Sequence, residues 1–385
     1  MTRLRDQYAI VGVAECGIPK APGETALSLQ CRAARLALLD AGLQLQDIDG
    51  VFAHTEDRFS ATLVAEYLGI FPHFADTTNI GGASNIAHIA HAMAAIDAGF
   101  CTTALICYGS MQASDGSRKI GGTPEDARTP RGQFITPYGQ LTPIGFYAML
   151  AQRHMAQYGT TPEQLAEVAV AARQWAMRNP AATRREPMSV ADVLASPMVA
   201  SPLHLRDCCL VTDGAGALIV TSMRRARDLR QPLVQVLGIA EGSTHHFTPF
   251  AAMDWLVTGN ASSGERAFAM AQVKHADLDV VEIYDSFTIT VLQTLEDLGF
   301  CGRGEGGAFV SGGRIAPGGD LPLNTSGGGL SYCHPGMFGT FVAIEGVRQL
   351  RGECGERQVP DAKLALCHGT GGVFSTQATM IIARD

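Results

Sequence analysis

The stretch 324–339 reads Asn-Thr-Ser-Gly-Gly-Gly-Leu-Ser-Tyr-Cys-His-Pro-Gly-Met-Phe-Gly and places a run of glycines shortly before a histidine. Glycine adopts positive φ angles readily and lets the backbone approach a ligand closely. His334 stands directly before Pro335, and proline disfavours helical geometry in the residue that precedes it. The stretch therefore predicts a tight turn that holds one imidazole in a fixed position. A buried histidine with satisfied hydrogen bonds and no chemical role is the alternative.

The composition is typical of a globular α/β enzyme. The 385 residues are 46 % hydrophobic and 17 % charged, which is enough apolar material for one large core or two ordinary ones. A formal net charge of −8 gives no support for nucleic-acid binding. No apolar run reaches the ~18 residues of a membrane helix, so we expect no membrane span. The charged N-terminus shows no secretory signal.

The ten cysteines are scattered and form no Cys-x-x-Cys pair. This pattern predicts neither a structural zinc site nor a disulfide framework. We therefore expect reduced thiols in a cytoplasmic protein without a bound metal. Two basic clusters, at 184–185 and 224–230, could contact the phosphates of a coenzyme or form solvated charged surfaces.

Strands and helices alternate along two similar halves of the chain, 1–222 and 223–385. Alternation of this kind implies crossover connections and mainly parallel sheets. Residues 111–201 interrupt the first half with polar loops and two helical stretches, and we call them the inserted segment. The pattern alone predicts an α/β fold that is compatible with duplication. Apolar spacing predicts helices at about 25–41, 85–98, 143–158, 162–179, 264–272, 287–298 and 341–350.

Three further motifs, in order with the His-Pro stretch, resemble those of the thiolase superfamily. Asp-Cys-Cys at 207–209, with Thr-Asp-Gly-Ala-Gly-Ala at 212–217, is similar to the motif that ends the family's first half. Glu-Ile-Tyr-Asp-Ser-Phe-Thr at 282–288 resembles the Glu-x-His-Asp-x-Phe segment of sterol-carrier-type thiolases. Cys-His-Gly-Thr-Gly-Gly at 367–372 is similar to the glycine motif that carries an acid/base cysteine. The resemblance covers nearly the whole chain.

This resemblance implies the thiolase fold. Two duplicated βαβαβαββ halves would form a five-layer α/β/α/β/α sandwich, with a loop domain inserted in the first half that helps to bind an acyl-coenzyme A. It also implies that His334 helps to form an oxyanion hole for a thioester carbonyl.

The sequence departs from the family where the nucleophile should be. The cysteine position of the family's Cys-Ala-Ser-Gly pattern falls on Gly82, which cannot form a covalent acyl-enzyme. We expect Gly82 to leave room where a sulfur would lie. Ser84 is similar to the pattern's own serine and is expected to cap the following helix rather than to attack. Tyr284 replaces a histidine, and Tyr332 lies close to His334; structural tyrosines are the alternative for both.

Together these changes resemble the cysteine-less thiolase-like aldolases that cleave steroid side chains. The resemblance implies retro-aldol cleavage of a bulky β-hydroxyacyl-coenzyme A without an acyl-enzyme. His334, with backbone amides of 369–372, would stabilise the enolate. Tyr284 or Tyr332 would take the hydroxyl proton while the other orients the substrate. Cys367 would protonate the enolate carbon, or is only a small buried thiol.

The candidate site residues follow from these motifs. The catalytic candidates are Tyr284, Tyr332, His334, Cys367 and His368. The candidates for substrate or coenzyme A binding are Gly82, Ser84, Asp285, Gly329, Gly371 and Gly372.

Partners and cofactors are implied by the resemblance alone. We expect coenzyme A only as part of the substrate, no permanently bound cofactor, a homodimer, and a small partner protein with a zinc ribbon and an oligonucleotide-fold domain. Two other functions stay open at this point. One is an acyltransferase acting on 3-ketoacyl-coenzyme A, which would need a thiol elsewhere in the site. The other is a non-catalytic protein that binds acyl-coenzyme A or lipid.

Overall fold

The computed structural model describes residues 4–54, 58–118, 126–140, 142–246 and 254–384. The strands are β1 (Tyr8–Cys16), β2 (Gly50–Ala53), β3 (Phe74–Asp76), β4 (Thr103–Ser110), β5 (Met198–Ala200), β6 (Leu203–His204), β7 (Gly214–Ser222), β8 (Val234–Ser243), β9 (Val280–Ile283), β10 (Leu364–Gly371) and β11 (Thr376–Arg384). The α-helices are α1 (Ala26–Ala41), α2 (Ser60–Leu68), α3 (Ser84–Asp97), α4 (Pro130–Phe134), α5 (Pro143–Tyr158), α6 (Pro162–Met177), α7 (Val190–Leu194), α8 (Met223–Ala226), α9 (Gly259–Ala271), α10 (Thr288–Asp297), α11 (Gly306–Val310) and α12 (Gly339–Arg351).

Local sequence signals explain several helix ends. Thr25 caps α1 by accepting a hydrogen bond from the amide of Ser28, whose own hydroxyl accepts from the Thr25 amide. The same helix ends at Gly42 in the left-handed conformation that glycine favours. Both α5 and α6 have proline at the start, where the missing N–H costs nothing.

Nine strands form one sheet in the order β3-β2-β4-β7-β1-β8-β11-β10-β9. In the first half, β2 runs parallel to β3 and β4, while β7 is antiparallel to β4 and β1. The chain order β1-α1-β2-α2-β3-α3-β4-β7 is the expected βαβαβαββ unit. In the second half β10 is parallel to β9 and antiparallel to β11. The counterpart of β3 is reduced there to one bridge between Val281 and Leu323.

The two halves stack through their central helices. Their sheets join at β1 and β8, where Ala9 pairs with Gln235 and Ile10 with Val234. Both α3 and α12 contact strands of both halves, so these helices form a middle layer. In contrast, α1 covers the outer face of the first half and α9 that of the second. The result is the five-layer α/β/α/β/α arrangement that the resemblance implies.

The N-termini of the two middle helices meet. A Cβ atom added to Gly339, the first residue of α12, would stand 2.1 Å from the carbonyl oxygen of Gly82, just before α3. Only glycine allows this approach of two backbones. Helix N-termini present unpaired amides and favour negative charge. The His-Pro stretch ends at this junction, because Gly339 is its last residue.

The inserted segment lies between β4 and β7 and contributes α4 to α7 with the small β5–β6 sheet. Part of it, 119–125 and 141, lies outside the described residues. His154 of α5 contacts Glu296 of α10 at 2.9 Å, and both side chains are fully buried. This buried pair attaches the segment to the second half. In the part of the chain that the structure describes, no helix is long and apolar enough to cross a membrane.

Candidate active site

The glycine run forms a single π-helical turn, Gly328–Tyr332, which Asp285 holds in place. The Asp285 carboxylate accepts hydrogen bonds from the amides of Gly329 at 2.6 Å and Leu330 at 3.2 Å. A Cβ atom at Gly328, where φ is +63°, would lie 2.1 Å from that carboxylate. Burial raises the pKa of Asp285 to about 7, although the two amides oppose the shift. Asp285 and Gly329 therefore shape the turn that precedes His334.

His334 lies between a cation and a phenol. Its Nδ1 is 3.2 Å from Nη1 of Arg118, and its Nε2 is 2.7 Å from Oη of Tyr284. Arginine can only donate, so Nδ1 must accept and the proton of the neutral ring must be on Nε2. The imidazole therefore donates to the Tyr284 oxygen, and the Tyr284 hydroxyl is directed to the carbonyl of Gly336 at 3.3 Å. Every hydrogen bond in this row thus has a defined direction.

Burial sets the protonation states of this row. It lowers the pKa of His334 well below its usual value, and the positive charge of Arg118 lowers it further. Burial also raises the pKa of Tyr284 well above its usual value. The site thus holds a neutral imidazole and a neutral phenol at pH 7, with Arg118 as the cation beside them.

Tyr284 fills the volume that a side chain at position 82 would need. A Cβ atom added to Gly82 would lie 2.0 Å from Cε1 of the Tyr284 ring and 2.5 Å from the carbonyl oxygen of Thr370. The expectation that Gly82 leaves empty room is therefore wrong, because an aromatic ring occupies that room.

Ser84 closes the turn before α3 but does not cap the helix. Its hydroxyl accepts from the amide of Ile80 at 2.9 Å and donates to the carbonyl of Gly81 at 2.6 Å. The predicted cap is wrong, since both partners precede the helix and no side-chain cap is formed at its start. The buried hydroxyl holds the Gly81–Ala83 turn and is fully used there.

Cys367 and His368 do not lie beside His334. The strand β10 continues through the motif to Gly371, so alternate side chains point to opposite faces. The Cys367 thiol donates to the carbonyl of Val342 at 3.5 Å, beneath α12. His368 contacts Thr379 and Asn260 on the other face, each at 2.9 Å, and burial lowers its pKa to about 3. Both predicted catalytic assignments are therefore unsupported by geometry.

Tyr332 also points away from the imidazole. Its backbone carbonyl accepts from Thr183, while its buried hydroxyl lies near the Glu15–Arg348 ion pair without a well-formed hydrogen bond. Burial, followed by the charge of Glu15, raises its pKa well above the usual value. The expectation that two phenols converge on His334 is wrong, because the π-turn directs Tyr332 to the opposite side.

The glycines at 371 and 372 bring the second half close to the first. A Cβ atom on Gly371 would lie 1.9 Å from the carbonyl oxygen of Ile80. Tyr147 of α5 donates from its hydroxyl to the carbonyl of Gly372 at 3.1 Å. Because Gly369 and Gly371 pair with β11, these residues form a strand end rather than the predicted open glycine loop.

Sequence reasoning missed three residues of this site. Arg118 reaches His334 from the inserted segment, Thr212 accepts from the His334 amide at 3.0 Å, and Cys209 lies 3.3 Å from Nη2 of Arg118. Thr212 and Cys209 belong to the motif at 207–217, which is a sequence signal for both residues. Nothing in the polar stretch around Arg118 marks it as functional.

Among the described residues, no group of three or more His, Cys, Asp or Glu side chains is arranged to hold a metal ion.

The fold and this site define an enzyme of the thiolase type in which a tyrosine ring occupies the side-chain space at Gly82. Residues 241–384 match the family described as thiolase C-terminal domain-like. The chain is 34 % identical over 386 residues to a steroid side-chain-cleaving aldolase of Thermomonospora curvata, covering 96 % of this chain and 97 % of that protein. It is 36 % identical over 363 residues to a 17-hydroxy-3-oxo-4-pregnene-20-carboxyl-CoA lyase of Mycobacterium tuberculosis, covering 91 % and 92 %. The chain belongs to the thiolase superfamily, among its sterol-carrier-type thiolase-like members.

Structural and sequence similarity extend to both chemistries of the superfamily. The solved Ltp2-ChsH2(DUF35) aldolase superposes with a TM-score of 0.91 and 32 % identity, covering 99 % of both chains. An acetyl-CoA acetyltransferase of Methanothermobacter thermautotrophicus is 33 % identical over 393 residues, covering 99 % of this chain and 100 % of that protein. Overall identity alone therefore does not separate lyase from acyltransferase, and the residues of the site must do so.

Proposed function

We propose that this protein cleaves the carbon–carbon bond of a bulky β-hydroxyacyl-coenzyme A by a retro-aldol reaction, without an acyl-cysteine intermediate. One observation carries the proposal. The ring of Tyr284 occupies the side-chain volume at Gly82, which removes the nucleophile and places a phenol on His334. Acyl transfer needs the thiol that this ring excludes, whereas a retro-aldol cleavage needs only proton transfer and charge stabilisation.

In this reaction the phenolate form of Tyr284 takes the proton of the β-hydroxyl group. The bond between the α- and β-carbons then breaks, the β-carbon becomes a ketone, and the thioester becomes an enolate. The Nε2–H of His334 stabilises the phenolate oxygen, and the guanidinium of Arg118 lies behind the imidazole. Burial opposes phenolate formation, so the active fraction of the enzyme grows with pH.

Arg118 is proposed to stabilise the enolate oxygen. Its guanidinium has five N–H donors, and among the described residues three are used by Leu210, Cys209 and His334. Two donors are left for an oxygen that gains negative charge. This assignment replaces the expected use of His334 as an oxyanion donor, because its single N–H is directed at Tyr284.

Coenzyme A enters as part of the substrate, and we expect no permanently bound cofactor. The acyl group is proposed to be a steroid with a shortened side chain, because the relatives that share the fold over nearly their whole length are named for such substrates. The thioester is proposed to approach along Gly371 and Gly372, where Tyr147 of the inserted segment donates to the Gly372 carbonyl.

Mass spectrometry of the products tests the reaction. The protein is mixed with a tertiary β-hydroxyacyl-coenzyme A or with a 3-ketoacyl-coenzyme A plus free coenzyme A, with and without a zinc-ribbon partner. A ketone and a shortened acyl-coenzyme A from the first substrate alone are expected. Two acyl-coenzyme A products from the second would establish an acyltransferase and overturn the proposal. Tight binding without turnover of either would indicate a non-catalytic protein.

A pair of tyrosine variants tests the site. Tyr284→Phe should lower turnover at least ~100-fold, the size expected when a general base is lost. Tyr332→Phe is the matched control, since both tyrosines are buried and only Tyr284 contacts His334. Equal activity of the two variants would contradict the assignment of Tyr284.

The proposed assembly is a homodimer with an added partner protein, in a cytoplasmic compartment. A partner is supported by the superposed Ltp2-ChsH2(DUF35) aldolase, whose name joins a second protein, of the DUF35 type, to the first. A homodimer is supported by β3, the edge strand of the sheet, beside which Phe71 and Phe100 are exposed by 94 % and 59 %. An edge strand with apolar surroundings is suited to pairing with a second copy.

A further inference from the structure

A retro-aldol cleavage leaves one proton transfer unassigned. The α-carbon of the enolate must gain a proton before the shortened acyl-coenzyme A can leave. Cys367 cannot supply it, because its thiol donates to the carbonyl of Val342 and fits against Gly346 of α12. Tyr284 has already taken the proton of the hydroxyl group on the β-carbon. A second acid would spare the phenol of Tyr284 a transfer from the β-oxygen to the α-carbon.

Cys209 is buried within the site and held by both neighbouring motifs. Its amide donates to the carbonyl of Ser286 at 3.0 Å, next to Asp285 in the Tyr284 motif. The following amide, of Leu210, donates to the carbonyl of Gly329 at 2.8 Å in the π-turn. The residue is 8 % exposed, and burial raises the pKa of its thiol. The thiol is thus protonated at neutral pH, as an acid must be.

Arg118 connects this thiol to the imidazole. Its Nη2 is 3.3 Å from Sγ of Cys209, and its Nη1 is 3.2 Å from Nδ1 of His334. If the free N–H groups of the same guanidinium hold the enolate oxygen, the α-carbon is only two bonds from that oxygen. The thiol and the carbon that needs a proton are then brought together by one side chain.

We propose that Cys209 is the acid that protonates the α-carbon of the enolate, and that Arg118 stabilises the thiolate left behind. This inference rests on the proposed retro-aldol function and assigns a catalytic residue within it. The proposed acid is therefore a different residue from Cys367, which the resemblance matches to the family's acid/base cysteine.

The proton balance closes without another reactant. The hydroxyl proton moves to the Tyr284 phenolate, the bond between α- and β-carbons supplies the electron pair of the enolate, and the S–H bond of Cys209 breaks as the new C–H bond forms. One negative charge thus passes from the Tyr284 phenolate to the Cys209 thiolate. Arg118 contacts the sulfur of Cys209 directly, and it contacts the imidazole that lies beside the phenolate. After release of the products, water carries the proton from the phenol back to the thiolate.

The chain offers a matched control in the adjacent residue. The Cys208 thiol donates to the carbonyl of His204 at 3.3 Å and has no hydrogen bond to the guanidinium of Arg118 in the described part of the chain. Cys208→Ala and Cys209→Ala each remove one thiol at neighbouring positions of the same segment. A general effect of weaker packing would appear in both variants.

The test measures two reactions in unmodified protein and both variants. The first is cleavage of the β-hydroxyacyl-coenzyme A. The second is exchange of the α-hydrogens of a short saturated acyl-coenzyme A in deuterated water, followed by mass spectrometry. In this exchange the thiolate of Cys209 removes the α-proton, so no ketone is needed. Cys209→Ala should lower kcat for cleavage and the exchange rate at least ~100-fold, with little change in KM. Cys208→Ala should leave both close to those of the unmodified protein.

Two results would overturn the proposal for Cys209 while leaving the proposed function intact. One is cleavage and exchange by Cys209→Ala at the rates of the unmodified protein. The other is an equal loss in both variants with an equal fall in melting temperature, which would assign the effect to packing. If the unmodified protein cleaves no β-hydroxyacyl-coenzyme A, the proposed function itself fails, and the role of Cys209 with it.

Discussion

At the scale of single residues, Gly82 and Tyr284 compete for one volume. The ring carbon Cε1 of Tyr284 lies 2.0 Å from where a Cβ atom would stand on Gly82, closer than two non-bonded carbon atoms approach in a packed interior. Adding even one methyl group must displace the ring. Since the ring carries the hydroxyl that contacts His334, the displacement reaches the chemistry directly.

Gly82→Ala is therefore expected to lower turnover at least ~100-fold, comparable to loss of the phenol itself. Overpacking of a filled site should also cost about 1–3 kcal/mol of stability. The measurements are kcat/KM and the free energy of unfolding in denaturant. The control is the double variant with Tyr284→Ala, in which the ring is gone and only the contact with the carbonyl oxygen of Thr370 at 2.5 Å remains. A stability cost that is the same with and without the ring would show that the two residues do not compete.

The rate of cleavage should rise with pH. Because burial raises the pKa of Tyr284 well above its usual value, the phenolate is a small fraction at pH 7 and grows about tenfold per pH unit. The lowered pKa of His334 means that the imidazole stays neutral and adds no break near the usual histidine pKa of about 6.5. The measurement is log kcat/KM from about pH 6 to about pH 9.5, with the fold monitored by circular dichroism. A profile that is flat or falls over this range would mean that Tyr284 acts as a hydrogen-bond donor instead of a base.

The sequence identified part of this site and failed on the rest for physical reasons. His334 could be found because a glycine run before a His-Pro pair constrains the backbone strongly, and Asp285 because it lies in the 282–288 motif. The direction of the Tyr332 side chain could not be predicted. Its separation of two residues from His334 does not determine on which side of the π-turn the side chain lies. Arg118 and His334 are more than two hundred residues apart in the sequence, and no local pattern signals such a contact.

At the scale of elements, β9 and α12 enclose a buried carboxylic acid. Glu282 of β9 accepts from the amide of Thr325 at 3.0 Å, and the Thr325 hydroxyl also contacts Glu345 of α12 at 2.8 Å. Burial raises the pKa of Glu282 well above its usual value, and the charge of Glu345 adds to the shift. Glu345 can stay ionised because Arg357 contacts it at 2.8 Å. Glu282 is thus the protonated member of the pair.

This acid should make stability depend on pH. The folded state keeps a proton on Glu282 that the unfolded chain loses near pH 4.5, so stability falls as pH rises above that value, by up to about 1.4 kcal/mol per unit. Glu282→Gln removes the titration while keeping an oxygen for Thr325. The variant should gain stability relative to the unmodified protein between about pH 5 and about pH 8, measured by denaturant unfolding at each pH. Parallel stability curves for the two proteins would contradict a protonated Glu282.

Element boundaries were predicted well wherever apolar spacing was regular. The expected helix at 143–158 coincides with α5, that at 25–41 begins one residue before α1, and that at 85–98 is shifted by one residue at both ends from α3. The helix expected at 264–272 instead begins at Gly259, because Thr258 caps it by accepting from the Asn260 amide. Its first turn is polar and buried, so the apolar pattern gave no signal there.

At the scale of the whole molecule, the candidate site lies where the two halves meet. Neither half contains the site alone: Gly82 and Arg118 come from the first half, and Tyr284 with His334 from the second. The alternation of strands and helices predicted an α/β fold that is compatible with duplication, and the duplicated five-layer arrangement came from the resemblance. The face on which the halves stack could not be predicted, because most residues of α3 and nearly all residues of α12 are buried, whether apolar or polar.

The edge of the sheet at β3 is suited to contact with a second copy of the chain. β3 lies at one end of the nine-stranded sheet, and Phe74 within it stacks on Phe100 with ring centroids 5.8 Å apart. Phe71, just before the strand, and Phe100 remain largely exposed. Two copies related by a twofold axis could pair β3 with β3 and bury these rings, as closed homodimers commonly do.

Replacing Phe71 and Phe100 together by lysine should therefore convert a dimer into a monomer, because like charges would face each other across the axis. Light scattering over a range of concentrations measures the mass, and circular dichroism checks the fold. The control replaces Phe134 and Tyr138 by lysine, since these aromatic residues are also largely exposed but lie on the inserted segment, away from β3. A dimer that persists in the first variant and dissociates in the second would move the interface from the sheet edge to the inserted segment.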